Sequence, residues 1–167
     1  MKNYFGIHPT ALIGENVSLG RNVTVGARTI VYDNVVIGDD TFIGPDCLIG
    51  EPNVAIHTER DAYVNPELSI GSNSLIRSGT IVYAGSTFGD HFETGHRVTI
   101  REQANIGHHV RIGTLSDIQG HCDIGTTCAC TATCTSATRA PSRTTCGSSR
   151  MWSSPTIRTR RRAPWWV

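Results

Sequence analysis

Between Gly6 and Gly125 a branched aliphatic residue returns every six positions. The beat runs through Ile7, Ile13, Leu19, Val25, Val31, Ile37, Ile43 and Ile49. It resumes after an interruption at Ile70, Ile76, Val82, Phe88, Thr94, Ile100, Ile106, Ile112, Ile118 and Ile124. Two positions earlier stands a small or branched residue, such as Ala11, Thr29, Cys47, Ser74, Thr80, Val98 or Cys122. A glycine often follows, as at Gly14, Gly20, Gly26, Gly38, Gly71, Gly107 and Gly125.

A fixed period of this kind predicts a parallel β-helix. Three hexads make one turn of a triangular coil. The recurring aliphatic points inward and stacks on its equivalents in adjacent coils, at roughly the 4.8 Å sheet spacing. The small residue fits the corner, and the glycine is expected to supply the backbone freedom a sharp turn needs. No 11-residue stretch sustains an i, i+3, i+4, i+7 apolar pattern, so no helix competes. An antiparallel sheet would need period two.

The 167 residues suit one domain. A formal net charge of +1 gives no case for nucleic acid or an anionic membrane as partner. The opening residues lack the apolar core of a signal peptide, and no run approaches the ~18 apolar residues of a membrane span. Cys47 and Cys122 fall on inward positions and are expected to be buried reduced thiols, which points to a cytoplasmic protein.

The repeat stops after Gly125. The remaining segment is crowded with Thr, Ser, Cys and Arg. It reads in three ordinary ways: a disordered tail, a metal cluster of Cys128, Cys130, Cys134 and Cys146, or a basic patch at Arg160, Arg161 and Arg162. A fourth reading explains more. Translated one nucleotide out of frame, the pair Ala129–Cys130 gives a codon ending TG, which encodes Leu, Met or Val. The pairs Thr135–Ser136, Pro141–Ser142, Gly147–Ser148 and Ser153–Ser154 give codons ending TC when the serines use TCN, and these encode Ile, Leu, Val or Phe. The five pairs end at 130, 136, 142, 148 and 154, which continues the register of Ile112, Ile118 and Ile124. Residues 1–125 are therefore expected to form the β-helix domain, and 126–167 a frameshifted, disordered tail with no domain of its own. Losing the last coils would leave the Ile118–Ile124 coil with an open edge, so this version is expected to be poorly soluble or inactive.

Gly6 to Gly125 resembles the hexapeptide-repeat (isoleucine-patch) acyltransferases. The stretch FETGHRVTIRE, Phe92 to Glu102, followed by Ile106 to Gly125, resembles a subgroup associated with cell-surface polysaccharide and nucleotide-sugar modification. The resemblance implies a left-handed coil, a homotrimer, acetyl-CoA or another acyl-CoA as cosubstrate in the groove between neighbouring prisms, and a sugar or nucleotide-sugar acceptor. It implies no metal.

Acyl transfer needs a base for the attacking amine or hydroxyl, and histidine suits that task. The chain has seven histidines. His96 and His108 each fall two positions after an inward residue, off the buried stack. His96 is the preferred base. Its hexad breaks the pattern, with Thr94 where an aliphatic belongs and bulky Phe92 at the small site, and functional sites are expected where a consistent repeat departs from its rule. The resemblance also places it in the subgroup's most recognisable segment. Glu93, Glu102 or Asp117 would orient the imidazole. Gln103, Asn105 and Gln119 suit sugar or pantetheine amides, and backbone N–H groups at glycine corners such as Gly113 suit the thioester oxygen. Arg97, Arg101 and Arg111 suit CoA phosphates, because guanidinium bonds phosphate bidentately.

The interruption from Glu51 to Ser69 is the one long insertion, and is expected to wall one side of the acceptor pocket. No Walker-type or GxGxxG loop is present. Two other functions compete. A metal protein like the γ-class carbonic anhydrases would use three histidines around zinc, and His57, His91 and His96 superficially suit that site. A non-catalytic scaffold would show a uniform repeat without polar irregularity.

Overall fold

The computed structural model describes residues 5–127 and 129–130. They form a parallel β-solenoid of three six-stranded sheets. The first sheet holds β1 (Leu12–Ile13), β4 (Ile30–Val31), β7 (Leu48–Glu51), β10 (Ile81–Tyr83), β13 (Thr99–Ile100) and β16 (Asp117–Ile118). The second holds β2 (Ser18–Leu19), β5 (Val35–Ile37), β8 (Leu68–Ile70), β11 (Thr87–Phe88), β14 (Asn105–Ile106) and β17 (Asp123–Ile124). The third holds β3 (Thr24–Val25), β6 (Phe42–Ile43), β9 (Leu75–Ile76), β12 (Glu93–Thr94), β15 (Arg111–Ile112) and β18 (Ala129–Cys130). The chain visits the sheets in rotation, so each strand pairs with the third strand after it, as Ile13 does with Val31 and Ile100 with Ile118.

The inward beat forms the core. Val25, Val31, Ile43, Ile49, Ile76, Ile100, Ile112 and Ile118 are all buried. Each such side chain removed from water stabilises the fold by about 1.5–3 kcal/mol. The small positions are buried beside them, and their hydroxyls are bonded: Thr29 Oγ1 donates to the Gly44 carbonyl at 2.7 Å and Thr80 Oγ1 to that of Arg77 at 2.7 Å. The irregular hexad is a packing solution. Phe92 is wholly buried against Phe88, ring centroids 4.6 Å apart, while the buried Thr94 brings a short side chain and accepts the Arg77 N–H at 3.0 Å. Cys47 and Cys122 are buried, and burial raises the Cys47 thiol pKa. At the N-terminal end the stack opens, with Ile13 38% and Ile7 51% exposed.

The glycines have a different role from the one expected. In most hexads the glycine after the aliphatic does not have left-handed backbone. It lies against the next coil: a Cβ on Gly20 would sit 2.6 Å from the Asp39 nitrogen, and one on Gly71 would sit 2.5 Å from the Gly89 carbonyl carbon. The left-handed residue comes two positions later. It is seldom glycine, and recurs as Asn16 (φ 53°), Asn22 (φ 56°), Arg97 (φ 53°) and His121 (φ 56°). Close approach of the coils, more than turn freedom, fixes these glycines.

The insertion leaves β7, forms the short helix α1 (Ala55–Glu59) and a 3₁₀ turn at Arg60–Ala62, and returns at β8. The buried Asn65 anchors it: its Nδ2 donates to the carbonyls of Gly50 at 2.8 Å and Asp33 at 3.1 Å. Sheet pairing bridges the excursion, with Val36 opposite Ser69. Val54 and Val64 remain exposed on it. Among the described residues no helix is long and apolar enough to cross a membrane.

Most of the expected tail lies outside the described residues. Within them, β18 pairs with β15 and sets Cys130 opposite Ile112, the position at which the six-residue beat would next fall. β16, β17 and β18 are the last strands of their sheets in this region.

Candidate functional site

His96 stands exposed on the corner that leads from β12 to β13. The coils below and above hold it. Its Nδ1 lies 2.8 Å from Ser78 Oγ, and its backbone N–H donates to Thr114 Oγ1 at 3.3 Å. Its carbonyl accepts the Leu115 N–H at 3.0 Å. Ser78, His96 and Thr114 are therefore one ladder of equivalent positions in successive coils.

The other candidate residues form two separate groups. On the outer face of the first sheet, Arg101 lies over the Tyr83 ring at 5.2 Å and grips Glu102 with two contacts of 2.9 and 3.2 Å. That hydrogen bonding lowers the Glu102 carboxyl pKa, against the opposing effect of partial burial. Gln119 Nε2 donates to Asp117 Oδ2 at 3.1 Å, while Asp117 Oδ1 is buried without a hydrogen-bond partner. Further along this face Tyr32 and Glu51 meet. Burial first, then the Glu51 carboxylate, pushes the Tyr32 phenol up to about 12, and Glu51 Oε2 is also buried without a hydrogen-bond partner. On the third sheet Arg111 Nε donates to Glu93 Oε2 at 2.7 Å, and Arg77 lies 3.8 Å from the other carboxylate oxygen. Glu93 and Arg111 help line an open groove of about 520 Å³, with His91 and His109 stacked at its corner, centroids 4.5 Å apart.

Within one chain the structure thus brings Arg101 to Glu102 and Gln119 to Asp117, while His96 hydrogen-bonds to hydroxyl groups. Glu93 is engaged by arginines. Gly113 is half-buried after β15, Arg97 and Gln103 are exposed left-handed residues, and Asn105 donates to Asp123 Oδ1 at 3.0 Å. The carboxylate contact sought for His96 occurs at His108, whose Nδ1 lies 3.4 Å from Asp90 Oδ2. There the Asp90 N–H donates to Nδ1 at 2.9 Å. An imidazole nitrogen that accepts an amide hydrogen carries none itself, so the neutral His108 ring is protonated at Nε2 and presents a donor there. Ser78 Oγ imposes no such state on His96, because a hydroxyl either donates or accepts.

His57 sits on α1, His91 on the corner before β12, and His96 on the corner after it. Among the described residues no three His, Cys, Asp or Glu side chains gather at metal-binding distance. Sequence reasoning missed Ser78, Thr114 and Tyr83. The signal was available for the first two, which stand 18 residues either side of His96, one coil length away.

Residues 16–51 match the model of the bacterial transferase hexapeptide family (six repeats). This match and the three-sheet solenoid agree with the hexapeptide-repeat resemblance. No curated protein matches the chain. Among solved structures, the acetyltransferase domain of PglB from Neisseria gonorrhoeae FA1090 is 20% identical at a TM-score of 0.45, covering 75% of this chain and 53% of its own. A mutant perosamine N-acetyltransferase from Caulobacter crescentus, in complex with CoA and GDP-perosamine, is 18% identical at 0.46, over 75% and 52%. A UDP-N-acetylglucosamine O-acyltransferase from Moraxella catarrhalis RH4 is 21% identical at 0.47, over 76% and 62%. The chain spans between about half and three fifths of these proteins' lengths.

Proposed function

We propose that the protein is an acyltransferase that moves an acyl group, acetyl in the first instance, from acyl-CoA to an amino or hydroxyl group of a sugar or nucleotide-sugar in surface polysaccharide synthesis. The observation that carries this reading is His96: an exposed imidazole on a rigid corner, fixed from two coils, with Nε2 unengaged by any hydrogen bond described above. The hexapeptide-transferase match and the resemblance of Phe92 to Gly125 supply the reaction class. In the proposed step Nε2 takes the proton from the acceptor as it attacks the thioester carbonyl. Backbone N–H groups hold the oxyanion. The C–S bond then breaks, and the imidazolium returns its proton to the departing thiolate. The reading assigns no metal.

Arg101, Arg111, Gly113 and Gln119 are proposed to contact the CoA moiety. Glu102 and Asp117 are proposed to act on His96 across a chain–chain seam, since neither bonds it within its own chain. A homotrimer would supply that seam. The first sheet suits it, because its outward positions carry Ile30, Leu48 and Ile81, each half-buried, beside Tyr32 and Tyr83. The buried thiols fit a cytoplasmic enzyme. We also propose that residues from 126 onward are read out of frame; resequencing the codons for Ile124 to Thr127 checks this, a spurious base confirming it and an intact frame refuting it.

The test of the activity is incubation with acetyl-CoA and a panel of amino-sugar nucleotides, followed by mass spectrometry. The expected result is an acceptor heavier by one acetyl group. CoA release without any acylated acceptor would contradict transfer to a sugar, and no reaction across the panel by a chain restored to the continuous frame would favour the scaffold reading.

A further inference from the structure

We infer that Arg77 is a substrate-binding residue beside the His96 corner and that its guanidinium receives a phosphate group. The inference rests on the reading of the protein as an acyltransferase, whose proposed acyl-CoA and nucleotide-sugar ligands both carry pyrophosphate.

Arg77 breaks a column of glycines. On the third sheet the residue after the inward position is Gly26 after β3, Gly44 after β6, Gly95 after β12 and Gly113 after β15, but Arg77 after β9. Close approach of the coils explains the glycines. A Cβ on Gly26 would fall 2.5 Å from the Pro45 nitrogen, and one on Gly44 would fall 2.7 Å from the Ser78 nitrogen.

The coil above Arg77 is altered where it meets this side chain. The N–H groups of Gly26, Gly44 and Gly95 donate to the carbonyls of Ile43, Ile76 and Ile112, at 2.9, 2.7 and 2.7 Å. The Arg77 N–H donates instead to the Thr94 hydroxyl at 3.0 Å. β9 and β12 pair through Leu75 and Glu93 alone, whereas β6 and β9 pair at two positions, as do β12 and β15. A branched aliphatic at 94 would offer that N–H no side-chain acceptor. Arg77 and Thr94 are thus matched departures from the repeat, and a consistent repeat departs from its rule at functional sites.

The Arg77 guanidinium is loosely held. Its Nη2 lies 3.8 Å from Glu93 Oε1, beyond hydrogen-bond reach, and the side chain is 46% exposed. Arg111 has the other oxygen of that carboxylate at 2.7 Å. Two guanidiniums therefore share one carboxylate, and among the described residues the Arg77 guanidinium makes no hydrogen bond. Its planar fork of N–H donors fits a phosphate. Arg77 directly precedes Ser78, whose Oγ lies 2.8 Å from His96 Nδ1, while Glu93 lines the third-sheet groove. A phosphate on Arg77 would lie between that groove and the His96 corner.

The test is titration calorimetry of the full chain with inorganic pyrophosphate, CoA and UDP-N-acetylglucosamine. Two variants are compared with wild type: Arg77→Gln, and Arg77→Gly, which gives this coil the residue of its neighbours. Thermal unfolding checks that each folds. The wild-type protein is expected to bind pyrophosphate and at least one of the larger ligands, and both variants to bind about ten- to a hundredfold more weakly, the loss of a charge-assisted hydrogen bond. Weakening of CoA alone assigns the phosphate to the acyl donor, and weakening of the UDP-sugar alone assigns it to the acceptor. No binding of any of the three by wild type, or Kd values unchanged in a folded variant, overturns the inference and leaves Arg77 as a structural partner of Glu93. Calorimetry needs no turnover. A chain that binds through Arg77 but transfers no acyl group therefore defeats the acyltransferase reading and keeps this one.

Discussion

The coils before the insertion and those after it share a core but differ at their corners. Both halves stack buried aliphatics on the same three sheets. Both place a left-handed residue in nearly every turn. Before the insertion these residues are Asn16, Asn22, Arg28, Asn34, Asp40 and Asp46. After it they include His91, Arg97, Gln103, His109, Leu115 and His121. Asn and Asp enter the left-handed region at little cost, whereas most side chains pay roughly 1–2 kcal/mol. The early corners use their residues structurally: Asn16 bonds Asn34, Asn22 bonds Asp40, and Arg28 clasps Asp46. The later corners carry imidazole, guanidinium and amide groups where asparagine would be cheaper, and backbone strain of this kind concentrates at functional sites. His96 stands beside one such residue, Arg97. The difference teaches that this fold separates its tasks, with stability set by the inward beat while the corner residues are left free to differ between the two halves.

The largest expected effect tests the shared core. Ile43→Ala and Ile100→Ala should each cost about 2–5 kcal/mol of stability, by denaturant unfolding. A small loss in only one half would break the picture of a common core. A reciprocal exchange at the corners sharpens the contrast. Leu115→Asn should stabilise the protein by about 1 kcal/mol, and Asn22→Leu should destabilise it by about 1 kcal/mol; equal signs in thermal unfolding would remove the proposed strain.

The smallest effect is at high pH. The Tyr32 phenol is raised from 10.0 to about 12. A group whose folded value is raised adds stability that is complete below its unfolded value and is lost as pH climbs through its folded one. Alkaline unfolding of the wild-type protein should therefore carry a component between pH 10 and 12 that Tyr32→Phe lacks. Identical profiles would show that the phenol contributes nothing.

The inward beat made most of the architecture legible from sequence, because a period of six is visible within a single coil. The insertion also stood out, since Glu51 to Ser69 breaks that period. The glycine role was misread because the clash at Gly20 is with Asp39, a residue one coil away and unremarkable in local sequence. The partners of His96 were overlooked for the same reason. Ladder contacts join residues 18 apart, and across the insertion the separation grows, so that Val36 meets Ser69. Carboxylates near His96 in sequence were expected to orient it. Glu102 and His96 instead flank β13 on different corners, because each hexad turns the chain onto a new face.

The most direct measurement of the central claim is thiol release from acetyl-CoA, with and without an amino-sugar nucleotide, by the wild-type protein and by His96→Gln. The account predicts acceptor-dependent release that falls by about 10²–10⁴-fold in the variant. Equal rates in the two proteins would contradict it.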